Sequence, residues 1–359
     1  MLSGLDLICA QAIITLSVLS GLAWIMVIVL KMHRLRWRWF LPALLLPLVL
    51  TTATAADTVN VHFQYLPTAG DVMQAMNGDR QWPTLDRLDR MSAAEALTRY
   101  PHGVTTRMPL PADAKDGFRR SAAIAYLPPQ YFADAAARFP VVYLFHGSPG
   151  KPADWFHGGR AASVGLASAN AGKPAIIVAP QMSLAWTDDP ECVNGIRERA
   201  ETHFADVVIP QVDQALRTEA NRTGRVFAGM SAGGYCALNL GLRHRNLTGS
   251  IIDMSGFTVP THHGGPSKLF GSDPSVVSQQ SLLNSPAAYV PALNPSPSMR
   301  IWLDCGRSDP EVLSEMTAIK PALLARGFTV TMTTRPGAHT YQVWRQALAQ
   351  ALPWALGTG

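Results

Sequence analysis

The sequence predicts an α/β protein: a mostly parallel central sheet covered by helices, with an N-terminal transmembrane anchor in front of it. Three observations carry this. From Phe118 onward, apolar and partly β-branched runs alternate with helical stretches, the pattern of a sheet buried on both faces. One of these runs leads into G-x-S-x-G and then directly into a helix. Residues 1–56 contain two long uncharged stretches separated by a basic cluster. Composition agrees, since 48% of the 359 residues are hydrophobic and 15% charged, which supports a sizeable core and excludes a disordered chain. Of the formal net charge of +5, +3 falls in residues 1–56, where Lys31, Arg34, Arg36 and Arg38 face only Asp6. The small remainder leaves the main domain without the basic face that nucleic-acid binding requires.

The anchor comes first. Leu7 to Leu30 is a run of 24 uncharged residues rich in Leu, Ile, Val and Ala. As a helix it spans about 36 Å, enough for a hydrocarbon core of about 30 Å. The cluster Lys31–Trp39 that follows has four fixed positive charges and two Trp, residue types that favour the cytoplasmic interface. A second uncharged run, Trp39 to Ala56, contains Pro42 and Pro47 and closes with Ala53-Thr54-Ala55-Ala56. It reads either as a second transmembrane helix or, with Met32 as the start, as a signal-like segment ending in an A-x-A site. Residues 1–56 are assigned to the membrane anchor, and both readings put the residues after 57 on the extracytoplasmic, periplasmic side.

Residues 57–117 read as an N-terminal extension with one helix around Ser92–Arg99, and residues 118–359 as the main domain. Strands are expected at Ala122–Leu127, Val141–Phe145, Ala175–Ala179, Val226–Ala228, Ser250–Asp253, Arg300–Asp304 and Phe328–Thr333. Helices are expected at Phe204–Glu219, Tyr235–Leu242, Glu311–Arg326 and Tyr341–Leu352. Residues 257–298 break this rhythm with Gly, Pro and Ser throughout and read as a cap-like insertion.

The chemistry centres on Gly229-Met230-Ser231-Ala232-Gly233. A nucleophilic serine needs a sharp strand-to-helix turn, which small flanking residues permit, and the helix amides then point at the developing negative charge. Ser231 is the expected nucleophile. Its base and acid are expected later in the chain. Of the histidines after Ser231, His244 sits in a basic helix end and His262-His263 in the insertion, whereas His339 follows the last strand, where a catalytic histidine belongs. Asp304 and Asp309 both precede that strand. Asp309, in the loop beyond the strand end, is the expected acid, with Asp304 a candidate brace for the loop. The oxyanion hole is expected from the backbone N–H groups of Ala232 and Ser148, the latter in His146-Gly147-Ser148-Pro149-Gly150, with His146 structural at the strand end. No metal or organic cofactor is implied.

From Phe118 to Leu356 the chain resembles the Putative esterase family of α/β-hydrolases, which includes S-formylglutathione hydrolase, feruloyl and enterochelin esterases and the antigen 85 mycolyltransferases. The matching pieces are Leu144-Phe145-His146-Gly147 with Asp154-Trp155, Gly229 to Gly234, Ser255-Gly256, Gly306 with Asp309, and Gly337-Ala338-His339 followed by an aromatic-bearing helix. The neighbourhoods of Cys192 and Tyr235-Cys236 are similar to a membrane-anchored branch that removes amino acids from aminoacylated phosphatidylglycerol. The resemblance implies an α/β-hydrolase fold and a serine carboxylic-ester hydrolase acting on a small-molecule or lipid ester. An acyltransferase of the mycolyltransferase type and a non-catalytic surface protein on the same fold are the alternatives. Trp155, Trp186, Asp188 and Asp189 are candidate substrate-binding residues, the carboxylates of Asp188, Asp189 and Glu191 suiting an ammonium group. Cys192 and Cys236 are expected to form a disulfide, because Cys9 lies in the membrane segment and Cys305 at the end of a buried strand, and an extracytoplasmic compartment preserves such a bond.

Overall fold

The structure, a computed structural model, describes residues 7, 10–33, 37–111, 116–118, 121–185, 187–295 and 298–357. The chain forms two units, residues 1–80 and 81–359. In the first, the two uncharged runs are helices, Ala10–Met32 and Trp37–Phe63. Their segments Gln11–Met32 and Pro42–Phe63, 22 residues each, are long and apolar enough to cross a membrane, at about 33 Å apiece. They lie side by side and share a hydroxyl cluster. Thr51 donates to the Pro47 carbonyl (2.7 Å) and accepts from Ser20 (2.9 Å) and from the Trp24 indole (3.0 Å). Each polar group thus finds its partner inside the helix pair, as an apolar surrounding demands. The second helix runs past the expected end at residue 56, so Ala53–Ala56 lie inside a continuous helix. Its end is fixed at Asn60, whose side chain bonds both the N–H and the C=O of Leu66 at 2.8 Å.

The second unit is built on one eight-stranded sheet. Its strands are β1 (Val104–Leu110), β2 (Ser121–Leu127), β3 (Val141–Phe145), β4 (Ile176–Pro180), β5 (Arg225–Met230), β6 (Ser250–Met254), β7 (Arg300–Gly306) and β8 (Thr329–Arg335). The spatial order is β1-β2-β4-β3-β5-β6-β7-β8, with β2 antiparallel to both of its neighbours and all other pairs parallel. Seven strands fall where the sequence places them. β1 does not, and it moves the expected domain boundary, since residue 118 lies inside the sheet-bearing unit. As an edge strand β1 has a single neighbouring strand, its outer side meeting only the Pro83-Thr84 segment through an Arg107 bridge, so it tolerates Arg107 and Pro109 on its solvent face while burying Val104, Thr106, Met108 and Leu110. The expected helix near Ser92 is present as Ala93–Arg99. A capping box starts it, with the Ser92 hydroxyl accepting from the Glu95 N–H (3.3 Å) and the Glu95 carboxylate accepting from the Ser92 N–H (2.9 Å).

Both faces of the sheet are covered. Alternate residues of β3 separate onto two cores, with Tyr143 and Phe145 facing Phe204, Phe227 and the helix Ala232–Arg243, and Val142 and Leu144 facing the helices Ala161–Asn170 and Tyr341–Ala355. Phe204 meets the rings of Tyr143, Phe145 and Phe227 edge-on at 4.8–5.3 Å, a geometry worth about 0.5–1.5 kcal/mol per pair beyond area burial. The helix expected over Phe204–Glu219 is instead a π-helical turn, His203–Val208, followed by a short α-helix, Ile209–Ala215. Pro210 has no N–H to continue the α ladder, and the wider turn absorbs the break. The insertion 257–298 is more regular than expected, with helices at Ser267–Phe270, Pro274–Leu283 and Pro286–Tyr289. Pro274 and Pro286 occupy first turns, where the missing N–H costs nothing.

Cys192 and Cys236 form the expected disulfide, with Cα atoms 5.4 Å apart, within the range such a bridge requires. Cys305 is a buried free thiol, and Cys9 lies outside the described residues. In denaturant without reductant, a thiol reagent should therefore modify two of the four cysteines, and all four after reduction. Four reactive thiols before reduction would exclude the bridge.

Candidate active site

The turn at Ser231 explains its own sequence. Strand β5 ends at Met230, Ser231 takes φ 55° and ψ −126°, and the helix begins at Ala232. Such a conformation costs about 1–3 kcal/mol and persists only where its surroundings enforce it. Here the close packing of the backbone does so. A Cβ on Gly229 would fall 1.8 Å from the Gly233 carbonyl oxygen, and one on Gly233 would fall 2.1 Å from that of Phe145. Only glycine fits at either position, and the result lifts the Ser231 hydroxyl off the end of the sheet.

The hydroxyl meets a relay. His339 Nε2 is 2.8 Å from Ser231 Oγ, and His339 Nδ1 is 2.7 Å from Asp309 Oδ2. A carboxylate only accepts, so Nδ1 carries the proton and Nε2 is free to accept from the serine. The Trp344 ring stands edge-on to the imidazole at 5.0 Å and limits its rotation. Asp309 precedes the helix Pro310–Ala325 and is mostly buried. Asp304 is taken up elsewhere. Fully buried, it accepts from the Trp302 indole (3.3 Å), from Arg335 Nε (2.8 Å) and Nη2, and from the Thr333 hydroxyl, which ties β7 to β8. Asp309, not Asp304, reaches the histidine.

Gly147 brings the 146–150 loop against the nucleophile, since a Cβ there would lie 3.4 Å from Ser231 Cβ. At the other side Ala232 heads its helix, so its N–H has no intrahelical acceptor. His146 is buried at the strand end, with Nδ1 2.9 Å from the Gly147 carbonyl. Burial lowers its pKa, which favours the neutral ring.

The expected substrate residues separate. Trp155 does not line a pocket. It is fully buried, and its indole N–H donates to the Phe145 carbonyl at 2.9 Å, which makes it a core residue that braces the strand end. Trp186 lies outside the described residues. Asp188 pairs with Arg197 at 3.4 Å. Asp189 accepts a hydrogen bond from the Ser148 side chain, and burial raises its pKa. Glu191, read only as part of the acidic run, is the most buried of the three. Its Oε1 accepts from the Thr261 N–H (2.5 Å) and hydroxyl (3.1 Å), while burial and the Asp189 charge push its pKa up to about 8.

A second Ser-His-Asp chain had no signal in the sequence. His203 Nδ1 lies 2.6 Å from Asp116 and Nε2 2.9 Å from the Ser121 hydroxyl, with the ring fully buried and stacked on Phe118 at 4.0 Å. Its members are up to 87 residues apart. Burial separates it from the first, because no ester carbonyl can approach Ser121.

Residues 119–355 match the family model described as Putative esterase. An uncharacterized protein of Corynebacterium glutamicum is 28% identical over 329 residues, covering 87% of this chain and 75% of its own length. An esterase of Mycobacterium tuberculosis is 26% identical over 246 residues, 60% of this chain, and the match spans only about half (51%) of that protein. Among solved structures, a ferulic acid esterase superposes with a TM-score of 0.61 at 23% identity, covering 71% of this chain and 98% of that one.

Proposed function

We propose, since the chain belongs to the Putative esterase family and is by class a carboxylic-ester hydrolase, that Ser231, His339 and Asp309 are its catalytic triad and that it works at a membrane. The observation that carries this is the unbroken chain of hydrogen bonds from Asp309 through His339 to Ser231, at 2.7 and 2.8 Å. Ser231 Oγ attacks the ester carbonyl while His339 Nε2 takes its proton. Asp309 holds the Nδ1–H tautomer and stabilises the imidazolium. The N–H groups of Ser148 and Ala232 receive the oxyanion. His339 then protonates the leaving alcohol, and a water, deprotonated by the same nitrogen, releases the acid from Ser231.

The two apolar helices Ala10–Met32 and Trp37–Phe63 support a two-helix anchor, and the Cys192–Cys236 disulfide supports an extracytoplasmic catalytic domain. A tethered hydrolase meets lipid-borne esters at raised effective concentration. The proposed substrate is therefore an aminoacyl ester of phosphatidylglycerol. Detergent-solubilised full-length protein is expected to release alanine or lysine from alanyl- and lysyl-phosphatidylglycerol. Cleavage of p-nitrophenyl butyrate alone would leave the esterase standing and remove the lipid.

A further inference from the structure

Within the hydrolase site proposed above, on which this step rests, we infer that Asp189, Glu191 and His146 form a subsite for a protonated primary amine on the acyl part of the ester. The starting point is an imbalance of hydrogen-bonding groups. His146 spends its Nδ1–H on the Gly147 carbonyl, so Nε2 is left as a lone-pair acceptor, and it is buried without a partner. Glu191 Oε2 is likewise buried and unpartnered, its other oxygen being held by Thr261. Asp189 lies within electrostatic reach of both. Native structures rarely leave buried acceptors without donors.

An ammonium matches this deficit, because it brings three N–H donors and a positive charge in one compact group. A carboxylate or phosphate would be repelled, and a neutral acyl chain would leave the acceptors unpaired. Among the described residues, no resident cation bonds either orphaned atom: Arg197 is engaged by Asp188, Lys268 is exposed on the adjoining cavity of about 220 Å³, and His262 and His263 act on Asp189 only through space.

Placement joins this subsite to the chemistry. Asp189 accepts from Ser148, the neighbour of Gly147, which abuts Ser231. A positive charge held there lies close to the carbonyl under attack, at the reach of an amine on the α-carbon of the acyl group. A carboxylate beside the oxyanion loop opposes the charge that forms there, and an ammonium between the two removes that opposition. Selectivity for amine-bearing esters follows from the same electrostatics as the rate.

The test compares kcat/KM of the full-length enzyme for the p-nitrophenyl esters of alanine and of isobutyric acid, in which a methyl replaces the ammonium, at pH 6.5. After correction for uncatalysed hydrolysis, the wild type is expected to prefer the alanyl ester. Asp189→Asn should cut that preference at least tenfold. Glu191→Gln, which retains an acceptor for Thr261, should cut it as well and serves if Asp189→Asn does not fold. A preference unchanged in both variants, or absent from the wild type, overturns the subsite and leaves the hydrolase reading intact. If neither ester is cleaved, the hydrolase reading fails and the subsite falls with it.

Discussion

Ser231→Ala is expected to lower kcat on p-nitrophenyl butyrate by about 10⁴–10⁶-fold, the loss seen when a nucleophile that acts as a unit with its base is removed. The fold should not notice. Among the described residues the serine hydroxyl bonds only the His339 ring, and alanine fits the same turn, because the crowding there falls on Gly229 and Gly233. The checks are steady-state rates together with far-UV circular dichroism and the thermal midpoint. Activity within tenfold of wild type in a folded variant would remove Ser231 from the mechanism.

The paired replacements Asp309→Asn and Asp304→Asn should separate cleanly into a catalytic and a structural phenotype. With Asn at 309 the amide can donate to Nδ1 and hold the wrong tautomer, so His339 Nε2 keeps its proton and cannot accept from Ser231. A loss of about 10⁴ in kcat is expected for such an exchange, with little change in stability. Asp304 is buried beneath Arg335, Thr333 and the Trp302 indole. Losing its charge leaves the Arg335 guanidinium, itself largely buried, without its counter-ion, at a cost of about 3–5 kcal/mol. Asp304→Asn should therefore lower the unfolding midpoint by many degrees while the folded fraction keeps its rate. A rate collapse at 304 with full activity at 309 would exchange their roles.

These two aspartates mark the line between what is written locally and what is not. The turn around Ser231 is local, since strand, turn and helix follow within a dozen residues and the glycines are dictated by contacts inside that span or with the adjacent strand. The same holds for His339 after the last strand, for seven of the eight strands and for the apolar helices of the N-terminus. In each, the hydrophobic period and the turn chemistry act over the residues themselves. The disulfide was also within reach, because two of the four cysteines had other surroundings.

What only the tertiary structure decided is which polar groups are already satisfied. Asp304 and Asp309 look alike in sequence until Thr333 and Arg335, 29 and 31 residues away, are seen to claim the first. Trp155 reads as a pocket residue until its indole is found on the Phe145 carbonyl. Asp188, Asp189 and Glu191 form one acidic run, yet Arg197 engages the first, Ser148 the second, and Thr261, 70 residues on, the third. The buried chain Asp116–His203–Ser121 repeats the residue types of the open one, and only burial tells them apart. Edge strand β1 was hidden for a related reason, since with a single neighbour it is free to carry polar residues and proline. Periodicity records where apolar surface goes, and it does so within one element. Hydrogen bonds and ion pairs are settled between elements, so their outcome, and with it the choice of acid and of substrate contacts, is fixed only when the strands are in place.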